Sequence, residues 1–194
     1  MILAYQTFSI VPKEKISKQD LIAKSIDVFW KKGYYRTSMA DLATACGLTK
    51  GAFYHHYKSK EEVMMNCLVS TSDMFEDKIF SIAYKEEYTA LEKLNKMADV
   101  IYYAFTKENG GCYFANTILE TVHIEATFID VIKDFFSRWE AAMVEIFSSN
   151  HSESEAKELS LKSIADIEGS IILMLLHSDT SYLKNALNRS IESY

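Results

Sequence analysis

A chain of 194 residues and 22.2 kDa has room for one large domain, or for a small module fused to a larger one. Six glycines and one proline are too few for a protein built of many short strands and tight turns, and three scattered cysteines without a CxxC pair exclude a disulfide scaffold and a zinc knuckle. The net charge of −6 hides an asymmetry: residues 1–62 carry ten Lys/Arg against six Asp/Glu (+4), and residues 63–194 carry eleven against twenty-one (−10), so only the N-terminal third is suited to approach a polyanion.

The first eleven residues are apolar but lack a basic stretch and a small-residue cleavage site, so residues 1–16 read as an arm rather than a secretory signal. Ser17-Lys-Gln-Asp20 offers an N-cap and an acidic third position, and Ile22, Ile26, Phe29 and Trp30 recur behind it at helical spacing. A first helix is therefore predicted from Lys18 to Lys32, stopped by Gly33. Thr37 or Ser38 can cap a second, short helix with Met39, Leu42, Ala43 and Cys46 on its apolar side, ended by Gly47. Two residues on, Thr49 can cap a third, from Lys50 to about Tyr57, that buries Leu48, Ala52 and Phe53. Two short helices across a glycine-containing turn form a helix-turn-helix pattern.

Ser59-Lys-Glu-Glu62 has the form of a full capping box and opens a longer helix predicted to reach about Tyr84. Leu91 to Phe105 mark another, closed by Asn109-Gly110-Gly111. Helices follow at about Cys112–His123, Thr127–Phe147, Ser152–His177 (opened by the box Ser152-Glu-Ser-Glu155) and Ser181–Ser193. The expectation is an all-α protein of about nine helices without repeats or flexible linkers, divided into the arm (1–16), a helix-turn-helix domain (17–62) and a larger helical domain (63–194). The longest purely apolar run, Ile171 to Leu176, falls far short of the ~18 residues of a membrane span. Free cysteines and the absence of a span point to the cytoplasm.

The chemistry of the short helices can be read residue by residue. Lys50, at the start of the third, can donate to guanine O6 and N7 in a major groove, and Gly51 lacks a side chain that would hold the backbone off the bases. Glycine inside a helix costs about 1 kcal/mol relative to alanine, and no core role explains it at this position. Tyr54, His55 and His56 carry donors along the flanks, Lys60 sits at the positive end of the next helix, and Thr37, Ser38 and Thr49 present hydroxyls at helix starts, where they are caps in any case. Adjacent histidines on a helix point about 100 degrees apart, so His55 and His56 do not converge on a metal. No Ser/His/Asp set, paired-acid constellation or phosphate-cradling loop is present, so neither catalysis nor a cofactor is expected.

Residues 37–62, Thr-Ser-Met-Ala-Asp-Leu-Ala-Thr-Ala-Cys-Gly-Leu-Thr-Lys-Gly-Ala-Phe-Tyr-His-His-Tyr-Lys-Ser-Lys-Glu-Glu, closely resemble the DNA-binding module of the tetracycline-repressor (TetR) family, and Phe29-Trp-Lys-Lys-Gly-Tyr-Tyr-Arg-Thr37 resembles the end of that family's first helix. The resemblance spans roughly residues 18–68 and implies phosphate contacts from Thr37, Tyr54, His55, His56 and Lys60. It further implies a homodimeric repressor that a small-molecule effector releases from operator DNA. In such proteins the last two long helices form a four-helix bundle with their symmetry mates. Ala165, Gly169, Ile172, Leu176, Leu183 and Leu187 are the residues expected there, with Ile167-Glu-Gly169 resembling an element of many members; the competing reading of this apolar helix is plain monomer core.

For the effector, apolar or aromatic in kind, the expected residues are Tyr102, Phe105, Tyr113, Asn116, Glu120, His123, Phe128 and Trp139. Glu120 has a second reading, as an internal anchor for a neighbouring helix end. Two other functional readings stay open: a carrier or enzyme that kept the fold, which would have no need of the Lys50-Gly51-Tyr54 face, and an activator in place of a repressor.

Overall fold

The computed structural model describes residues 16–107, 111–123 and 126–194. The expected arm, apart from Ile16, and the Asn109-Gly110 part of the expected helix stop lie outside them. Nine α-helices form among the described residues: α1 (Lys18–Lys32), α2 (Met39–Ala45), α3 (Lys50–His56), α4 (Lys60–Lys78), α5 (Ala90–Lys107), α6 (Tyr113–Thr121), α7 (Ile129–Phe147), α8 (Glu153–His177) and α9 (Ser181–Glu192), with 3₁₀ turns at Phe80–Tyr84 and Ala126–Phe128.

The caps explain the starts. Reciprocal boxes form at Ser17/Asp20, Ser38/Asp41 and Ser152/Glu155, each serine oxygen accepting from the third backbone N–H while the acid accepts from the serine's own. At α4 the expected box closes only halfway: Ser59 accepts from the N–H of Glu62, but the Glu62 carboxylate takes the N–H of Lys58 at 2.6 Å. Gly33 ends α1 with φ +79°, and Gly47, at φ +68°, turns the chain between α2 and α3, where Leu48 N–H reaches back to Ala43 O at 2.9 Å.

The predicted run of α4 to Tyr84 is broken at Ile79. A straight continuation would carry the chain a further ~9 Å outward; the 3₁₀ turn instead folds it over α7, burying Phe80, Ile82 and Ala83. Two cores result. Leu21, Phe29, Leu42, Ala43, Phe53 and Tyr57 pack α1, α2 and α3 together. In the larger domain α8 packs between α7 and α9, and an aromatic cluster joins α4, α5, α6 and α7: Phe114 stacks on Phe135 at 3.7 Å, with Phe75, Phe80, Phe105 and Trp139 around them.

Candidate nucleic-acid interface and effector groove

Capping, the Gly47 turn and burial of Phe53 set α3 so that Lys50, Gly51, Tyr54 and His55 face outward. These four span an arc of about 140 degrees at 100 degrees per residue. Lys50 Nζ lies 5.9 Å from the centre of the Tyr54 ring. A Cβ added at Gly51 would meet nothing within 4 Å. The bare backbone at this position is therefore not required by packing within the chain. Thr49 Oγ1 caps α3 by accepting from Ala52 N–H at 3.2 Å, and exposed Ser38 does the same for α2. His56, also exposed, points away from the Lys50 side of the helix.

Two expected phosphate contacts are corrected by their surroundings. Thr37 is buried and its hydroxyl donates to Gly33 O at 2.7 Å, so it closes the α1–α2 turn rather than facing out. Lys60 is half-buried, donates to Tyr34 O at 2.9 Å and sits 4.1 Å over the Tyr34 ring. A position at a helix start does not by itself show that the same turn recruits both side chains. Exposed Arg36, absent from the expected set, donates from Nε to Lys32 O at 2.9 Å and adds a cation beside the start of α2.

The eight residues expected to hold an effector do not converge. Trp139 and Phe128 are inside the core, Phe128 edge-on to Tyr34 at 5.1 Å. Tyr102 donates to Thr180 Oγ1 at 3.1 Å, and Asn116 and His123 are exposed. Glu120 takes its alternative reading, accepting from the backbone N–H of Tyr34 at 2.8 Å and of Tyr35 at 3.4 Å. Helical periodicity marks an apolar face without saying whether a neighbouring helix or a ligand fills it, and here aromatic packing fills the interior.

Only Phe105 and Tyr113 of the eight line a groove of about 1030 Å³ that opens between α1, α4, α5 and the start of α6. That volume is at the upper end for small-molecule sites. Its α1 wall is Ile22, Ile26 and Trp30, one residue behind the buried set Leu21, Ser25 and Phe29. Two stripes offset by one position, the first carrying the small buried Ser25, are the signal in the sequence: α1 packs its own module with the first and lines the groove with the second. Trp30 Nε1 donates to Gly111 O at 3.1 Å, so the wall is tied to both domains.

Along α8, Leu161, Ala165, Gly169, Ile172 and Leu176 fall within about 80 degrees of one another. All five are exposed, Ile172 at 60% and Leu176 at 72%, and a Cβ at Gly169 would meet nothing within 4 Å. Leu183 and Leu187, expected on the same interface, are instead buried in the chain's own core. They hold α9 against α8, helped by the bidentate Arg189–Asp166 pair at 2.8 Å.

Two family models match the chain: "Bacterial regulatory proteins, tetR family" over residues 21–65 and "Transcriptional regulator LmrA/YxaF-like, C-terminal domain" over residues 90–189. An uncharacterised helix-turn-helix-type transcriptional regulator of the lacX 3′ region of Lactococcus lactis subsp. lactis shares 24% identity over 173 residues, 87% of this chain and 88% of that protein. The transcriptional repressor DhaR of Mycobacterium sp. (strain GP1) shares 25% over 125 residues, 63% of this chain and 61% of its own length. A TetR transcriptional regulator from Legionella pneumophila superposes with a TM-score of 0.84 at 20% identity, over 93% of this chain and 99% of the other. An outward α3 with a bare Gly51, held by a capped helix-turn-helix and backed by an all-helical second domain, agrees with these likenesses, and the chain belongs to the TetR family of transcriptional regulators.

Proposed function

We propose that the protein is a homodimeric repressor that a small, mostly apolar effector releases from operator DNA, acting by binding rather than catalysis, in the cytoplasm. The observation that carries this reading is the groove's construction: one wall is α1 of the DNA-binding module and the others are α4, α5 and the start of α6. A ligand between them presses on the module and on the larger domain together, and so has differential contacts with any two arrangements of the pair. α4 starts beside α3, at Lys60, and runs the length of the groove, so a shift of α4 moves the recognition helix.

In this reading Lys50, Gly51, Tyr54 and His55 meet the major groove, with Ser38, Thr49, His56 and Arg36 toward the backbone phosphates. The α8 stripe meets its symmetry mate. Residues 17–62 act as the reading module and 63–194 as the dimerising and sensing domain, with α1 shared between reading and sensing. Repression is supported by the likeness to DhaR, a transcriptional repressor. Selection of genomic fragments on the purified protein, followed by footprinting, tests the reading: a pseudo-palindromic site with half-sites about one helical turn apart is expected. Recovery of fragments without a shared site would remove the assignment of α3 as a sequence reader.

A further inference from the structure

The reading of the groove as an effector site leaves its ligand class open, and the walls narrow it. The α1 residues that line the groove run from Lys18 to Trp30 and those of α4 and its C-cap from Asn66 to Ile79. At 1.5 Å per residue these stretches are about 18 and 20 Å long. Half of a bilayer's ~30 Å hydrocarbon core, the depth of one acyl leaflet, is about 15 Å. The trough therefore has the length of one long alkyl chain.

The two hydroxyls at its floor are already engaged, while the polar side chains Gln19, Asn66, Ser70 and Tyr103 also belong to its lining. The Thr71 hydroxyl donates to Cys67 O at 2.8 Å and the Tyr113 hydroxyl to Met64 Sδ at 3.0 Å. Between them the surface is hydrocarbon and aromatic, from Ile22, Phe75 and Phe105. Against that floor the hydroxyls of a polyhydroxylated body would go unpaired, and an apolar tail fits it better.

Charge gives the head group. Of the two lysines on the groove, Lys78 is paired with Asp77 at 2.7 Å. The carboxylate on the groove, Asp73, faces Arg138 at 3.9 Å. Lys18 has an aromatic neighbour, the Tyr57 ring at 6.0 Å, and stands in the first turn of α1, where the helix dipole also favours an anion. We propose that the groove binds a long-chain aliphatic acid, its hydrocarbon tail lying between α1, α4 and α5 and its carboxylate held by Lys18.

The full-length protein, titrated calorimetrically with sodium tetradecanoate, sodium octanoate and tetradecanol, tests this. Each buried methylene is worth roughly fourfold in affinity, so tetradecanoate is expected to bind at least a hundredfold tighter than octanoate. Lys18→Gln is expected to weaken tetradecanoate several-fold and leave tetradecanol unchanged. Tyr103→Ala, an exposed change at the lip that does not threaten folding, is expected to weaken both. Equal affinity for the two acids, or the same loss for acid and alcohol on Lys18→Gln, overturns the ligand class. Binding of tetradecanoate only after removal of residues 1–15 overturns it too, assigning the groove to that segment. An operator titration separates the readings: a protein that binds operator but no acid keeps the regulator and loses the ligand class, whereas acid binding that leaves operator affinity unchanged keeps the ligand class and removes effector release.

Discussion

The Glu120 carboxylate on α6 accepts a hydrogen bond from the backbone N–H of Tyr34, in the turn between α1 and α2, at 2.8 Å. This is a side chain of the larger domain capping a loop of the DNA-binding module, 86 positions away in sequence. Gly33 makes it possible: its φ of +79° shapes the turn, and a Cβ there would lie 2.3 Å from Glu120 Oε1. Lys60, donating to Tyr34 O, grips the same residue from the other side.

Loss of this clasp is expected to loosen the module without unfolding the chain. Glu120→Ala should cost about 1–2 kcal/mol in urea unfolding, the scale of charge-assisted hydrogen bonds left unmade at a partly exposed site. Gly33→Ala should cost more, because strain at positive φ adds to the clash. If both variants match the wild type in urea midpoint and in operator affinity, the clasp has no part in positioning the module.

Gly51→Ala separates folding from reading. Beyond the local helix backbone, no atom of the described residues lies within 4 Å of the added Cβ, so stability is expected to hold or rise by up to about 1 kcal/mol, the helix propensity difference. Operator affinity is expected to fall, since the methyl group would stand between helix backbone and bases. Lys50→Ala should cost about 1–3 kcal/mol and relax discrimination at one base pair. Gel-shift titration against the selected operator and a scrambled duplex checks both; unchanged affinity in both variants would displace the reading face from α3.

At the α8 stripe, Ile172→Asp introduces a charge at a side chain that is 60% exposed in the single chain. The monomer fold should survive and the dimer should not, because the carboxylate would be desolvated twice across a two-fold axis. Gly169→Leu should act likewise through overpacking, about 1–3 kcal/mol per copy. Sedimentation at micromolar concentration reports the outcome, and a variant that stays dimeric moves the interface off this stripe.

Glu168, on the same helix but turned inward, makes stability depend on pH. Burial pushes its carboxyl from an ordinary 4.5 up to about 7, opposed by a hydrogen bond with Cys112, and its Oε1 has no partner among the described residues. The folded state thus holds a proton that the unfolded chain releases near 4.5, and stability falls as pH rises from about 4.5 through 7, then levels off. The full effect is about 3 kcal/mol. Glu168→Gln should flatten this slope and raise stability near pH 8; urea midpoints at about pH 5 and pH 8, compared between variant and wild type, decide it. An unchanged slope would mean that Glu168 is not the titrating group.

Local chemistry was legible in the order of residues. Caps at Ser17, Ser38, Thr49, Ser59 and Ser152 and stops at Gly33 and Gly47 depend on interactions within four or five positions, and so the helix-turn-helix, the helix order and the outward set Lys50, Gly51 and Tyr54 could be read before any packing was known. The α8 stripe was legible for the same reason, since one helix carries it whole. What only the tertiary structure decided are choices between partners distant in sequence. Thr37 and Lys60 turn into the α1–α2 loop, Leu183 and Leu187 bury themselves against their own chain, and Trp139 joins the core in place of a ligand site. The groove exists because α1 carries a second apolar stripe that faces α4 and α5. A stripe's period shows that it must be covered, but burial has no direction along the chain, and what covers it is settled only when the helices meet.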